Sequence, residues 1–267
     1  MTKIFKFYIL SNLHVAFSVF SLYVIFNDNI NVFNALFLIS STVLSYNLIR
    51  LFSFKSNRFF IKRFMVKHKI IFTGAIVLSG ILSLYSYYFL SLRVKLILIP
   101  FMVMTVVYNL DAKWLPINNL RSNGIVKIMV VAMVWTGLVI LAPHYGQLHL
   151  TEENLQILLK SAFVFIYIMM LTISFDQRDL LIDAKDLKTI PQLYKKKLFY
   201  FYVVFNILLT LISLQIFESK TELFLAILMI NLSTYLCLKS NEYKNFYYTA
   251  FWIEGLPILW YIFTLIV

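Results

Sequence analysis

The run Leu155-Gln156-Ile157-Leu158-Leu159-Lys160-Ser161-Ala162-Phe163-Val164-Phe165-Ile166-Tyr167-Ile168-Met169-Met170-Leu171-Thr172-Ile173-Ser174-Phe175 decides the fold, because it carries one charge in 21 residues. As a helix it extends about 30 Å, the thickness of a bilayer's hydrocarbon core. It therefore reads as a transmembrane helix, and the rest of the chain repeats the pattern. Nine spans are expected, running roughly Ile4 to Phe26, Ile30 to Phe54, Ile70 to Leu90, Lys95 to Tyr108, Ile125 to Ala142, Leu155 to Phe175, Leu198 to Phe217, Leu223 to Leu238 and Phe246 to Val267. The apolar runs are continuous and do not alternate with period two, which argues against a membrane β-barrel.

Composition agrees. Of 267 residues, 61% are hydrophobic and 13% charged, and mean hydropathy is +0.82. A soluble domain of this length has no core large enough for so much Phe, Leu and Ile. One cysteine, Cys237, rules out a disulfide scaffold, and the apolar excess rules out disorder. The net charge of +12 belongs to loops rather than to a nucleic-acid face. The first span lacks a small-residue cleavage site after Phe26 and reads as a retained anchor.

Sorted by loop, the basic residues separate into two unequal groups. One side holds Lys3 and Lys6, the Lys55 to Lys69 group, Lys113, Arg121 and Lys127, then Arg178, Lys185, Lys188 and Lys195 to Lys197, and finally Lys239 and Lys244. Only Arg93, Lys95, Lys160 and Lys220 stand opposite. The positive-inside rule then puts the N-terminus in the cytoplasm and, after nine spans, the C-terminus outside. The whole chain, 1–267, reads as a single polytopic domain with cytoplasmic loops near 55–69, 109–124, 176–197 and 239–245. The 55–69 loop is basic and aromatic, a composition suited to anionic lipid.

Four acids concentrate where the sixth span meets the basic side. Asp176, Asp179, Asp183 and Asp186 are spaced three, four and three apart. On a helix these positions fall within an arc of roughly 80°, with Arg178 and Lys185 pointing elsewhere. Neighbouring carboxylates about 6 Å apart repel by roughly 3 kcal/mol at an effective dielectric of 20, so such a stripe calls for a cation or free water. Oxygen ligands alone suit Mg²⁺. A solvated acidic face is the other reading, and the stripe's place against the membrane favours a site.

Arg178-Asp179-x-x-x-Asp183 followed by Lys188-Thr189-Ile190-Pro191 resembles the second aspartate-rich motif of the UbiA superfamily of intramembrane prenyltransferases. The nine-span layout, the cytoplasmic N-terminus and the polar loops after the second and sixth spans are similar to that family too. The sequence-specific likeness covers about 20 residues. Where the family has its first motif, this chain reads Ser45-Tyr46-Asn47-Leu48-Ile49-Arg50-Leu51. Asn47 matches, whereas Leu51 replaces an aspartate and Arg50 stands beside it.

The resemblance implies an all-α UbiA-like bundle. It also implies Mg²⁺-dependent transfer of a polyprenyl group from a prenyl diphosphate to a lipophilic acceptor, in a bacterial inner membrane. Asp176, Asp179 and Asp183 would hold metal, with Asp179 and Asp183 catalytic, and Asn47, Arg50, Lys188 and Arg121 would hold diphosphate. For Arg50 a second reading stands beside this one, snorkelling to the headgroups, and for Arg121 and Lys127 topological anchoring. Asn12, His14 and Tyr46 are candidates for the acceptor pocket, and Glu254 is an acid deep in the last span. The alternative is a non-catalytic or transport protein on the same bundle, which the lost first-motif carboxylate favours. P-loop, dinucleotide-turn, H-E-x-x-H and G-x-S-x-G signatures are all missing from the sequence.

Overall fold

The computed structural model describes residues 2–52, 59–109, 123–145, 153–180, 187–240, 242 and 245–266, and among these there are only helices and connecting turns. The helices are α1 Lys3–Leu10, α2 Leu13–Phe26, α3 Val32–Phe52, α4 Phe59–Lys67, α5 Lys69–Phe89, α6 Leu92–Asn109, α7 Gly124–Thr136, α8 Ala142–Tyr145, α9 Glu153–Asp179, α10 Ile190–Tyr194, α11 Leu198–Ile216, α12 Lys220–Lys239 and α13 Leu256–Ile266. Wider π-type turns, Gly137–Leu141 and Tyr248–Ile253, join α7 to α8 and lead into α13.

Seven of the described helical segments are long and apolar enough to cross a membrane, and the bent pair α1 and α2 makes an eighth. The chain is thus an all-helical membrane protein. The fourth expected span is occupied by α6, an 18-residue helix with Arg93 and Lys95 near its start and Pro100 inside it. The sixth expected span runs past Phe175, so that Asp176 and Asp179 belong to its last turn rather than to a loop. Similarly, the 55–69 loop contains α4 and the first residue of α5, and the 176–197 loop contains α10.

Neighbouring elements form a closed series. α2 packs on α3, α3 on α5 and α6, α6 on α7, α7 on α9, α9 on α11, α11 on α12, α12 on α13, and α13 back on α2. α2 is enclosed, with Val15, Val19, Leu22, Tyr23 and Phe26 all buried. At its far end Phe26, Phe163, Tyr167 and Trp260 meet with ring centres 5.4 to 6.1 Å apart. Phe163 and Tyr167 stack and the other pairs are tilted or edge-on, which suits aromatic quadrupoles and fills the space between α2, α9 and α13. The outer faces remain apolar and exposed, as with Leu84 and Tyr88 on α5, Val103 and Val106 on α6, and Ile207 and Leu211 on α11. Exposed apolar surface on this scale requires lipid around it.

The first span is not straight. α1 and α2 meet at a 60° bend, where Asn12 takes the left-handed conformation with φ 64°. Asn is among the few residues that tolerate that region.

Candidate functional site

The site is built where α9 ends, α7 begins, and the chain turns into α10. Asp176 is fully buried and its Oδ1 lies 2.5 Å from Nζ of Lys127, in the second turn of α7. Two residues later, Arg178 donates from Nε and a terminal nitrogen to the two oxygens of Asp179, at 2.9 and 3.0 Å. Its other terminal nitrogen donates to Thr249 Oγ1 at 2.6 Å, and its guanidinium sits 5.2 and 4.9 Å from the ring centres of Phe175 and Phe246. This corrects the expectation that Arg178 points away from the acids. Helical spacing fixes only the Cα–Cβ direction, and a long side chain at the membrane mouth bends back to a counter-charge and an aromatic cradle.

Between them, Gln177 turns inward. Its Oε1 accepts from Tyr202 OH at 2.8 Å and from Ser240 Oγ at 2.7 Å, and Tyr202 also meets Ser174 Oγ at 3.1 Å. This buried network ties α9 to α11 and to the end of α12. Sequence reasoning passed over it, although the polar pair Ser174 and Gln177, three apart at a span's end, was a readable sign.

The Lys188-Thr189-Ile190-Pro191 string forms the turn into α10. Thr189 caps that helix, in a reciprocal pair with Gln192, and Pro191 sits in its first turn. Lys188 holds φ at 52° and is exposed. Thr189 lies so close to α7 that a methyl group on Gly124 would come within 2.5 Å of the Thr189 Cα. One α7 segment thus meets the Thr189 turn and the last turn of α9: Gly124 receives Thr189, and Lys127 holds Asp176.

The first-motif residues have structural partners at the α1–α2 bend. Asn47 Nδ2 donates to the carbonyls of Ser11 and Val43 at 2.8 Å each, its Oδ1 accepts from Asn12 Nδ2 at 3.0 Å, and Arg50 donates to the Leu10 carbonyl. A broken helix in a membrane leaves carbonyls that must be satisfied internally, and Asn47 and Arg50 do so here. Asn12 is the hinge itself. His14 Nε2 lies 2.9 Å from the Phe251 carbonyl and Nδ1 2.9 Å from Tyr8 OH. A carbonyl only accepts, so Nε2 carries the proton, and Nδ1 accepts from Tyr8. The ring also stacks on Phe251, so His14 joins α1, α2 and the π turn before α13.

Tyr46 is different. Its hydroxyl accepts from Trp135 Nε1 at 3.1 Å, and Glu254, Tyr108 and Arg50 lie within electrostatic range of it. α3 and α7 are therefore joined here by a polar contact, with Tyr108 of α6 and Glu254 of the turn before α13 near enough to act on it. Sequence reasoning had Tyr46 and Glu254 separately and had no means of joining them.

No protein-family model, no curated protein and no solved structure matches the chain.

Asp183, Asp186 and Arg121 lie outside the described residues. Among the described residues no three of His, Cys, Asp or Glu come together as a metal cage. Asp176 and Asp179 face an ammonium and a guanidinium, and Asp183, the third carboxylate expected to hold metal, is outside the described residues.

Proposed function

We propose that this protein is an intramembrane prenyltransferase of UbiA-like layout, transferring a polyprenyl group from a prenyl diphosphate to a lipophilic acceptor. One observation carries the reading: at the C-terminal end of α9, Lys127 of α7 pairs with Asp176 and Arg178 pairs with Asp179, while the Thr189 turn, preceded by the exposed Lys188, packs on Gly124 at the start of the same α7. Lys127, Arg178 and Lys188 supply the positive charge a diphosphate needs, and the carboxylates hold two of those cations in fixed geometry. The allylic C–O bond breaks with its electron pair leaving on pyrophosphate, the acceptor attacks the cationic carbon, and the acceptor's proton is lost. The cationic carbon needs apolar and aromatic surroundings that exclude water. In a metal-dependent version of this reaction Asp183 would join Asp176 and Asp179 in holding Mg²⁺, which the substrate's phosphates and water complete. In the same reading the basic end faces the cytoplasm and there are nine spans, α6 included.

A second reading, a non-catalytic or transport bundle, is favoured by the ion-paired carboxylates and by the use of Asn47 and Arg50 at the helix bend. Labelled prenyl diphosphates with purified protein in lipid, with and without Mg²⁺, separate the two. The transferase releases pyrophosphate, and Asp179→Ala and Asp183→Ala lower the rate by roughly 100-fold or more. Absence of binding to every prenyl diphosphate tested, under both conditions, removes the enzyme reading.

A further inference from the structure

The outer face of α12 carries a polar residue where only hydrocarbon should touch it. Phe224, Leu228, Asn231 and Tyr235 are all exposed, spaced four, three and four apart, so they form one stripe along the helix. Asn231 is twelfth of the twenty residues of α12, close to the middle of the span, and its neighbour Asn206 is ninth of nineteen in α11. Headgroups lie too far from either for a short amide side chain to reach.

Their hydrogen bonds are incomplete in a particular way. Asn206 Nδ2 donates to Asn231 Oδ1 at 3.3 Å and to Thr234 Oγ1 at 2.9 Å, and Asn231 Nδ2 donates to the Ile227 carbonyl at 2.8 Å. Both N–H groups of Asn206 are used, and one of Asn231 is. Among the described residues this leaves one acceptor, Asn206 Oδ1, and one donor, the second N–H of Asn231. A bare amide group in hydrocarbon costs free energy, and exposed stripes with a central Asn are the places where membrane helices associate.

We propose that this α11–α12 face is the contact surface for a second copy of the chain. The leftover groups are one donor and one acceptor on the same patch, which is the condition for self-complementarity about a two-fold axis. With the axis along the membrane normal, Asn231 of each copy donates across the interface, and the stripe from Phe224 to Tyr235 packs against its symmetry mate as a seam with a polar centre. The proposal is independent of the prenyltransferase reading and uses none of its residues.

Energy transfer between donor- and acceptor-labelled copies in phosphatidylcholine vesicles, over a series of protein-to-lipid ratios, tests it. The wild type should associate reversibly, and Asn231→Leu should weaken association roughly 5-fold or more, the scale of one interhelical polar contact. Leu84→Ala, on the exposed face of α5, should leave it unchanged. Asn231→Cys should give an oxidised dimer on a denaturing gel, whereas buried Cys237 gives none in the wild type. Leu at position 231 suits a lipid-facing helix, and a melting temperature near wild type shows that the fold is retained. A wild type that stays monomeric at every ratio, or an Asn231→Leu protein that associates equally well, overturns the proposal.

Discussion

Asp176 and Lys127 form a pair whose members differ in burial: the carboxylate has no exposed surface, and the lysine keeps 20% of its side chain exposed. Removing either partner should therefore have unequal effects. In Asp176→Asn the ammonium can extend along its stem to water and lose little. In Lys127→Met a fully buried carboxylate loses the cation beside it, an event that costs about 3 kcal/mol in comparable buried pairs. The expected order of stability is wild type near Asp176→Asn, Lys127→Met well below, and the double variant partly restored. Thermal unfolding in detergent, followed by a thiol-reactive dye that reports exposure of buried Cys237, measures it. Equal losses in the two single variants would refute the asymmetry. Arg178 shows why such pairings were illegible in the sequence. Spacing places Cα–Cβ vectors about 100° apart on successive residues, yet a guanidinium several bonds further out travels back to the carboxylate next to it.

At the scale of the element, the bend between α1 and α2 gives Asn47 and Arg50 a role that needs no ligand. Asn47→Leu removes both donations to carbonyls and the acceptor for Asn12, all buried, and should cost roughly 3 kcal/mol in the absence of any substrate. Asn12→Gly keeps the φ of 64° accessible and loses one hydrogen bond, so about 1 kcal/mol is expected, with Asn12→Ala worse because its Cβ disfavours the left-handed region. The same Cys237 assay reads all three. A residue that only contacts diphosphate would leave melting unchanged without substrate, so an unaltered Asn47→Leu protein would return Asn47 to the ligand reading. The helices themselves were legible because apolar length registers directly in the sequence. The bend was not, since neither Gly nor Pro marks it, and the sole sign was Ser11-Asn12 in an apolar run. Nor did the sequence show that Asn12, Asn47 and Arg50 meet, because that depends on how α3 lies against α2.

For the whole molecule, the open quantity is the parity of the spans, and α6 decides it. Seven segments and the bent pair make eight crossings, which return the C-terminus to the side on which the N-terminus starts. Counting α6 makes nine and puts the termini on opposite sides. Arg93 and Lys95 at the start of α6 are basic residues on the weakly charged side, and Lys95 reaches the Tyr88 carbonyl at 2.7 Å, with the Tyr87 and Tyr88 rings near its ammonium. Such snorkelling with an aromatic belt is how a short helix holds charge at the interface. α6 packs between α3 and α7 and turns Val103 and Val106 outward like its neighbours. If α6 did not cross, the basic end of α7 with Lys127 would leave the side that Lys69 marks, and the charge asymmetry would break at that point. Nine crossings are therefore expected, with the N-terminus inside. A C-terminal alkaline phosphatase fusion should be active and a C-terminal green fluorescent protein fusion dark, because each reporter works on only one side of a bacterial inner membrane. The reverse pair of results would establish an even number of crossings and would remove α6 from the membrane.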